Sequence, residues 1–262
     1  MMSSQSLSVF LGGALLASCF SIASVHATEL VADSMASKVV MIAAGESDAA
    51  TRLSSAQLAE LQYHAGMLFN NGIAGATKDP AQALFWFQKS AAGGHPLAAY
   101  KLGCYYAGQF PGVIVTDDTQ ALHFKGIAAE AGYSLAQHDV ALLYQKQGDW
   151  KRALSWYQKA ADQGLFSAMI RLAWLARLQP EADKQLAYQY LLIAQNLQPE
   201  QTKAKPEFLQ ALDDLQARLS DPQKAAVDQF VRQWRAAPEA LSLEAAQGVQ
   251  RLSALMRSAG QS

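Results

Sequence analysis

Apolar residues recur along this chain at the spacing of short paired helices, and the same arrangement returns four times. The stretch Trp150–Ala173, WKRALSWYQKAADQGLFSAMIRLA, carries it most plainly: one apolar helical face, a glycine, then a second apolar face. Related stretches begin at Ala83 (ALFWFQKSAAGGHPLAAYKLG), Ala121 (ALHFKGIAAEAGYSLAQHDVA) and Ala187 (AYQYLLIAQ). With Ala153 as the opening alanine of the third copy, the spacings are 38, 32 and 34 residues. That is the size of one helix–turn–helix unit, and such units stack because none can bury its apolar face alone. The predicted fold class is all-α, an α/α solenoid of about four such repeats closed by C-terminal capping helices.

The aligned positions have physical meaning. Four residues before each opening alanine stands an aspartate: Asp79, Asp117, Asp149 and Asp183. A carboxylate there accepts from the free N–H groups of the first helical turn; cation binding by the acidic set is the alternative. Pro80 follows Asp79 in the first-turn slot where its missing N–H costs nothing. Three residues after each alanine comes a ring, Trp86, Phe124, Trp156 or Tyr190, read as a wedge between helices. A ladder for stacking a ligand competes with that reading. Gly94, Gly132 and Gly164 fall where a left-handed residue closes a helix. Ala98, Ala136 and Ala168 follow four residues later, small enough for the next helix to cross closely. On the first helices, Ala65-Gly66 and Leu102-Gly103 set small residues near the large Phe69 and Tyr106.

The repeat ends at Pro199. Phe208, Leu212, Leu215 and Leu219 then share one helical face, and Ser220-Asp221-Pro222-Gln223 reads as a capping box before a helix striped by Val227, Phe230, Val231 and Trp234. Pro238–Gly260 predicts one more amphipathic helix, with Leu243, Ala246, Val249 and Leu252 on a face that packs on the cap or binds a partner. Thr28–Leu53 has no clean period and reads as a linker holding a short helix at Met35–Ala44.

The pattern LGxxY, a loop, Asp, then AxxWYxKAAxxGxxxA resembles the Sel-one-like repeats, relatives of tetratricopeptide repeats; ALFWFQKSAAGGHPLA and ALSWYQKAADQGLFSA show it best. The resemblance covers about Ser55–Asn196. Departures are Gly126-Ile127 where the family has a lysine region, Ala141 and Ala173 for the first-helix glycine, no closing glycine in the fourth repeat, and the insertion Gly108–Thr116. A segment similar to LSDPQKAAVDQFVRQW often follows the last repeat in this family. The resemblance implies scaffolding of complexes, among them envelope assembly, flagellar motor and polysaccharide export machinery, and host interaction for some exported members. In tetratricopeptide-type packing, positions two before and two after the LG leucine face the concave side. Here they are Tyr63 and Met67, Tyr100 and Cys104, His138 and Leu142, and Ile170 and Trp174. One turn further lie Asn70, Gln145 and Arg177. This mix of aromatic, sulfur-bearing and polar residues suits a protein- or peptide-binding groove.

The N-terminus adds a compartment. Val9–Ser18 is an apolar run too short to span a bilayer, and Val25-His26-Ala27 supplies small residues for cleavage, so residues 1–27 read as a signal peptide. Leu16-Ala17-Ser18-Cys19 offers the alternative of a lipobox with Cys19 lipidated. The domain reading is thus 1–27 signal, 28–53 linker, 54–198 repeat array and 199–262 capping helices. Half of the 262 residues are apolar and the net charge is −1 with no basic run, which argues against a nucleic-acid surface. The histidines form no HExxH or HxxxH pair, there is no CxxC, and Gly132–Ala136 lacks the last glycine of a nucleophile elbow. No metal site, cofactor or catalytic set is expected. The expectation is an exported, non-enzymatic adaptor of the bacterial envelope, in the periplasm or secreted, that touches a membrane only through a lipid anchor. A hydrolase or binder of small cell-wall fragments, and a lipid-anchored spacer, are the alternatives. Relatives that bind β-lactam-like compounds carry paired cysteines in each repeat, which this chain lacks.

Overall fold

The computed structural model describes residues 34–178 and 183–260. The signal segment, Cys19 and Thr28 lie outside the described residues. Four helical hairpins follow one another: α2 (Ser55–Asn71) with α3 (Pro80–Ala92), α4 (Pro96–Tyr106) with α5 (Asp118–Glu130), α6 (Ser134–Lys146) with α7 (Trp150–Asp162), and α8 (Phe166–Leu178) with α9 (Lys184–Leu197). Before them stands α1 (Met35–Ala44) and a 3-10 turn, Asp48–Arg52. After them come α10 (Pro199–Lys203), α11 (Pro206–Gln216), α12 (Asp221–Gln233), α13 (Ala240–Ala246) and α14 (Gly248–Ser258). Among the described residues every regular element is helical, and no helix is long and apolar enough to cross a membrane.

The hairpins form where local chemistry dictates. All four aspartates are N-caps: Asp79 accepts from the N–H groups of Ala81 and Gln82, Asp117 from Thr119 and Gln120, Asp149 from Arg152, and Asp183 from Leu186. Gly94, Gly132 and Gly164 turn the chain with φ of 86°, 90° and 94°. Ala98, Ala136 and Ala168 are fully buried where the next helix crosses.

The aromatic wedge is shared between two positions. Trp86 and Tyr190, three residues after the alanine, are buried, but Phe124 and Trp156 are only half-buried. The next position carries the rest of the core: Phe87, Tyr157 and Leu191 are buried, and so is Lys125 in the second repeat. The rotation of about 100° per residue places both positions on the inner half of a second helix.

Thr28–Leu53 is not a spacer over its described part. Ala36, Val39, Val40, Ile42 and Ala43 are buried in one cluster with Leu61, Ala65 and Phe69 of α2, because α1 covers the face of α2 that a preceding repeat would otherwise fill. At the other end, Phe208, Leu212, Leu215 and Leu219 are buried with Val227, closing α9.

The chain after Trp234 departs from expectation. It forms two helices instead of one, and it does not pack on the cap. Leu243 and Val249 are 50% and 73% exposed. Besides Leu241, the buried side chains are Leu252, Leu255, Met256 and Ala259, and these four join the cluster of α1 and α2 at the opposite end of the array. A stripe at helical spacing shows that a face is covered, but not by what.

Candidate functional site

The expected groove residues sit at one register on the four first helices, α2, α4, α6 and α8. Tyr63, Met67, Tyr100, Cys104, His138, Leu142, Gln145, Ile170, Trp174 and Arg177 are all half-buried; Asn70 alone is buried. The Asn70 side-chain oxygen accepts from the Tyr105 hydroxyl at 3.4 Å, which makes it a core contact. Gln145 accepts from the Tyr157 hydroxyl at 2.8 Å.

The structure joins three of these residues in a polar cluster between the second and third repeats. Lys125 Nζ reaches Asp139 Oδ2 at 2.6 Å. The Tyr100 hydroxyl donates to the same oxygen at 3.3 Å, and His138 Nδ1 lies 3.3 Å from Asp139 Oδ1. Tyr133 meets the Tyr100 ring edge-on at 5.0 Å, and Cys104 is in hydrogen-bonding contact with Tyr100. Burial works against the Asp139 carboxylate, but the hydrogen bond to His138 and the charge and hydrogen bond of Lys125 outweigh it and hold the pKa below the ordinary value. Burial pushes the Cys104 thiol up, so it is not a nucleophile-ready thiolate. The Lys125 charge is spent on Asp139. The arrangement positions hydrogen-bonding groups and offers no nucleophile–base pair.

The two ends of the stripe differ in chemistry. At the first repeat, Tyr63 stacks on His95 at 4.8 Å and meets His64 edge-on at 5.4 Å. Burial, the largest influence on both imidazoles, lowers His64 and His95 to about 4 despite the Glu60 charge nearby. At the fourth repeat, Ile170 and Trp174 line an amphipathic pocket of about 270 Å³ with Phe166, Thr202, Lys205 and Phe208. The Arg177 guanidinium lies 5.1 Å from the Trp174 ring centroid and donates to Asp214 at 3.2 Å. Among the described residues no group of three His, Cys, Asp or Glu side chains could hold a metal ion.

Sequence reasoning missed Lys125 and Asp139, which are the hub of the central cluster. The available signal was a lysine at the position where the other repeats carry Phe87, Tyr157 and Leu191.

Stacked helical hairpins with a polar–aromatic stripe along the first helices define a helix-pair solenoid. The sequence matches the Sel1 repeat over residues 59–95, 96–133, 134–165 and 166–195. The chain belongs to the Sel1 repeat family, whose members are generally protein-interaction scaffolds and typically non-catalytic. It is similar to chitin synthase regulatory factor 4 of Schizosaccharomyces pombe, 28% identical over 131 residues, which cover 49% of this chain and 20% of that protein. It is also similar to chitin synthase regulatory factor 3 of the same organism, 27% identical over 118 residues, covering 44% of this chain and 13% of that protein. The match thus spans a fifth or less of these relatives. A solved Sel1 repeat protein from Oxalobacter formigenes shares the fold with a TM-score of 0.51 and 22% identity, covering 68% of this chain and 74% of that one.

Proposed function

We propose that this chain is an exported, non-enzymatic adaptor of the bacterial envelope that binds a protein or peptide partner along the stripe from Tyr63 to Trp174. One observation carries the reading: at one register on four successive first helices stand Tyr63 and Met67, Tyr100 and Cys104, His138 and Leu142, and Ile170 and Trp174, and all of them stay half-buried. A pure core position would be closed, as Leu102, Val140 and Leu172 are. A purely solvated face would not carry Tyr63, Tyr100 and Trp174. The pocket beside Trp174 offers an anchor for one apolar partner side chain. The adaptor class follows from family membership; export and envelope location rest on residues 1–27.

The test is crosslinked capture from cells with the chain from Thr28 onward as bait, beside a Tyr100→Ala/Trp174→Ala double variant. Envelope proteins held by the parent chain fall at least tenfold with the double variant, at unchanged helicity. Equal capture by both overturns the groove. Fatty-acid labelling lost on Cys19→Ser would assign the lipid anchor, and an unlabelled parent chain would assign cleavage near Ala27.

A further inference from the structure

After α12 the chain doubles back along the edge of the array where second helices turn into first helices. The Ala237 N–H donates to the Asp162 carbonyl at 2.9 Å, at the end of the third repeat. Five residues on, the Ser242 hydroxyl meets the Gly132 carbonyl at 3.1 Å, at the end of the second. Between them is a built polar notch. The Glu239 carboxylate accepts from the side-chain amides of Gln137 at 3.4 Å and Gln163 at 3.3 Å. The Gln163 oxygen accepts from the Glu239 N–H at 3.0 Å and the Ser242 hydroxyl at 2.7 Å. Gln163 also donates to the Gly132 carbonyl and to the Gln137 oxygen, both at 2.9 Å.

Three features mark the notch as more than a crossing point. Gln137 and Gln163 are buried, and the other repeats carry Ala99 and Met169, or Gly93 and Ala131, at those registers. Helix α6 has no side-chain cap of its own; the Ser134 N–H instead donates to Ser242 at 3.0 Å. A side chain on Gly132 would meet the Glu239 carboxylate at 2.2 Å, so the turn leaves room for an acid.

The segment that fills the notch is held shallowly. Arg235–Glu239 is exposed and non-helical, α13 buries only Leu241, and Leu243 and Val249 face solvent. Its hydrogen bonds exchange with water at small net cost. We propose that the notch is a recognition site for a peptide bearing Glu-x-x-Ser, that Glu239–Ser242 is its resident occupant, and that the occupant it accepts from outside is the same segment of a second copy of this chain. Tethering gives the resident segment an effective concentration on the order of millimolar, so it shields the notch until it is displaced.

A labelled synthetic peptide of residues 235–247 tests this by fluorescence anisotropy. A full-chain Glu239→Lys/Ser242→Ala variant, with its own segment unseated and its notch intact, binds the peptide at least tenfold more tightly than the parent chain. Adding Gln163→Ala to that variant abolishes the gain, and so does Glu239→Ala in the peptide. Hydrogen exchange at the Ala237 amide, whose bond to the Asp162 carbonyl the substitutions leave in place, reports unseating directly. If the double variant loses helicity, Ser242→Ala alone carries the test with a gain of about threefold. Equal binding by parent and variant overturns the proposal. So does absent binding once Ala237 exchanges faster, and so does unchanged Ala237 protection in the variant.

Discussion

Four residues after the opening alanine, the first, third and fourth repeats carry Phe87, Tyr157 and Leu191, and the second carries Lys125. All four side chains are buried. What the scaffold demands at this position is therefore volume, and the lysine supplies it with its methylene stem. A Cβ on Gly103 would stand 2.5 Å from Lys125 Cγ, just as one on Gly66 would stand 2.6 Å from the Phe87 ring. Once volume is met, the end group is free to vary. In the second repeat it is an ammonium that draws Asp139, His138 and Tyr100 into one cluster; in the first it is a ring that only packs.

The strongest way to break this comparison is at the ring. Phe87→Ala should destabilise the chain by ~3–5 kcal/mol, because a buried aromatic leaves both lost transfer energy and a cavity. Urea denaturation measures it, and a loss below about 1 kcal/mol would show that the position tolerates emptiness. The lysine should respond differently according to its partner. Asp139→Ala strands a buried ammonium and should cost ~2–4 kcal/mol, whereas Lys125→Met combined with Asp139→Leu keeps the volume without the charges and should lie within about 1 kcal/mol of the parent or above it. Equal losses for the two variants would mean that the ion pair itself, not volume, holds the second repeat.

A smaller effect separates the first repeat by pH. His64 and His95 stay neutral in the folded chain down to about 4, while unfolded imidazoles protonate near 6.5. The unfolded state therefore binds more protons as pH falls from 6.5 toward 4, and stability declines across that window. Denaturation midpoints at pH 7 and pH 4.5 check this; a midpoint that does not fall would mean the imidazoles are hydrated.

The repeat architecture was legible because its determinants are local. An aspartate caps the helix it precedes, as Asp79 and Asp183 do, and a glycine such as Gly164 turns the chain where it stands. The stripe from Tyr63 to Trp174 could be assigned a register for the same reason. Lys125 and Asp139 were not legible as a pair: they lie on helices of different repeats, and periodicity reads an isolated lysine as solvated. The destinations of α1 and α14 were hidden more deeply. Val39 and Leu252 each announce a covered face, yet nothing in either segment names the other as its neighbour.

The return of α14 to the start of the array changes how the molecule assembles. Hairpin contacts in a repeat array join residues near in sequence, so each unit can nucleate and extend to the next. The Arg251–Glu60 ion pair, at 2.5 Å, closes a separation of 191 residues, and the Arg52 bond to the Ala259 carbonyl closes 207. Loop-closure entropy places such contacts last in folding. The array therefore completes itself as a chain of local steps and is then tied end to end, so that fraying at the first repeat also requires the tie to open.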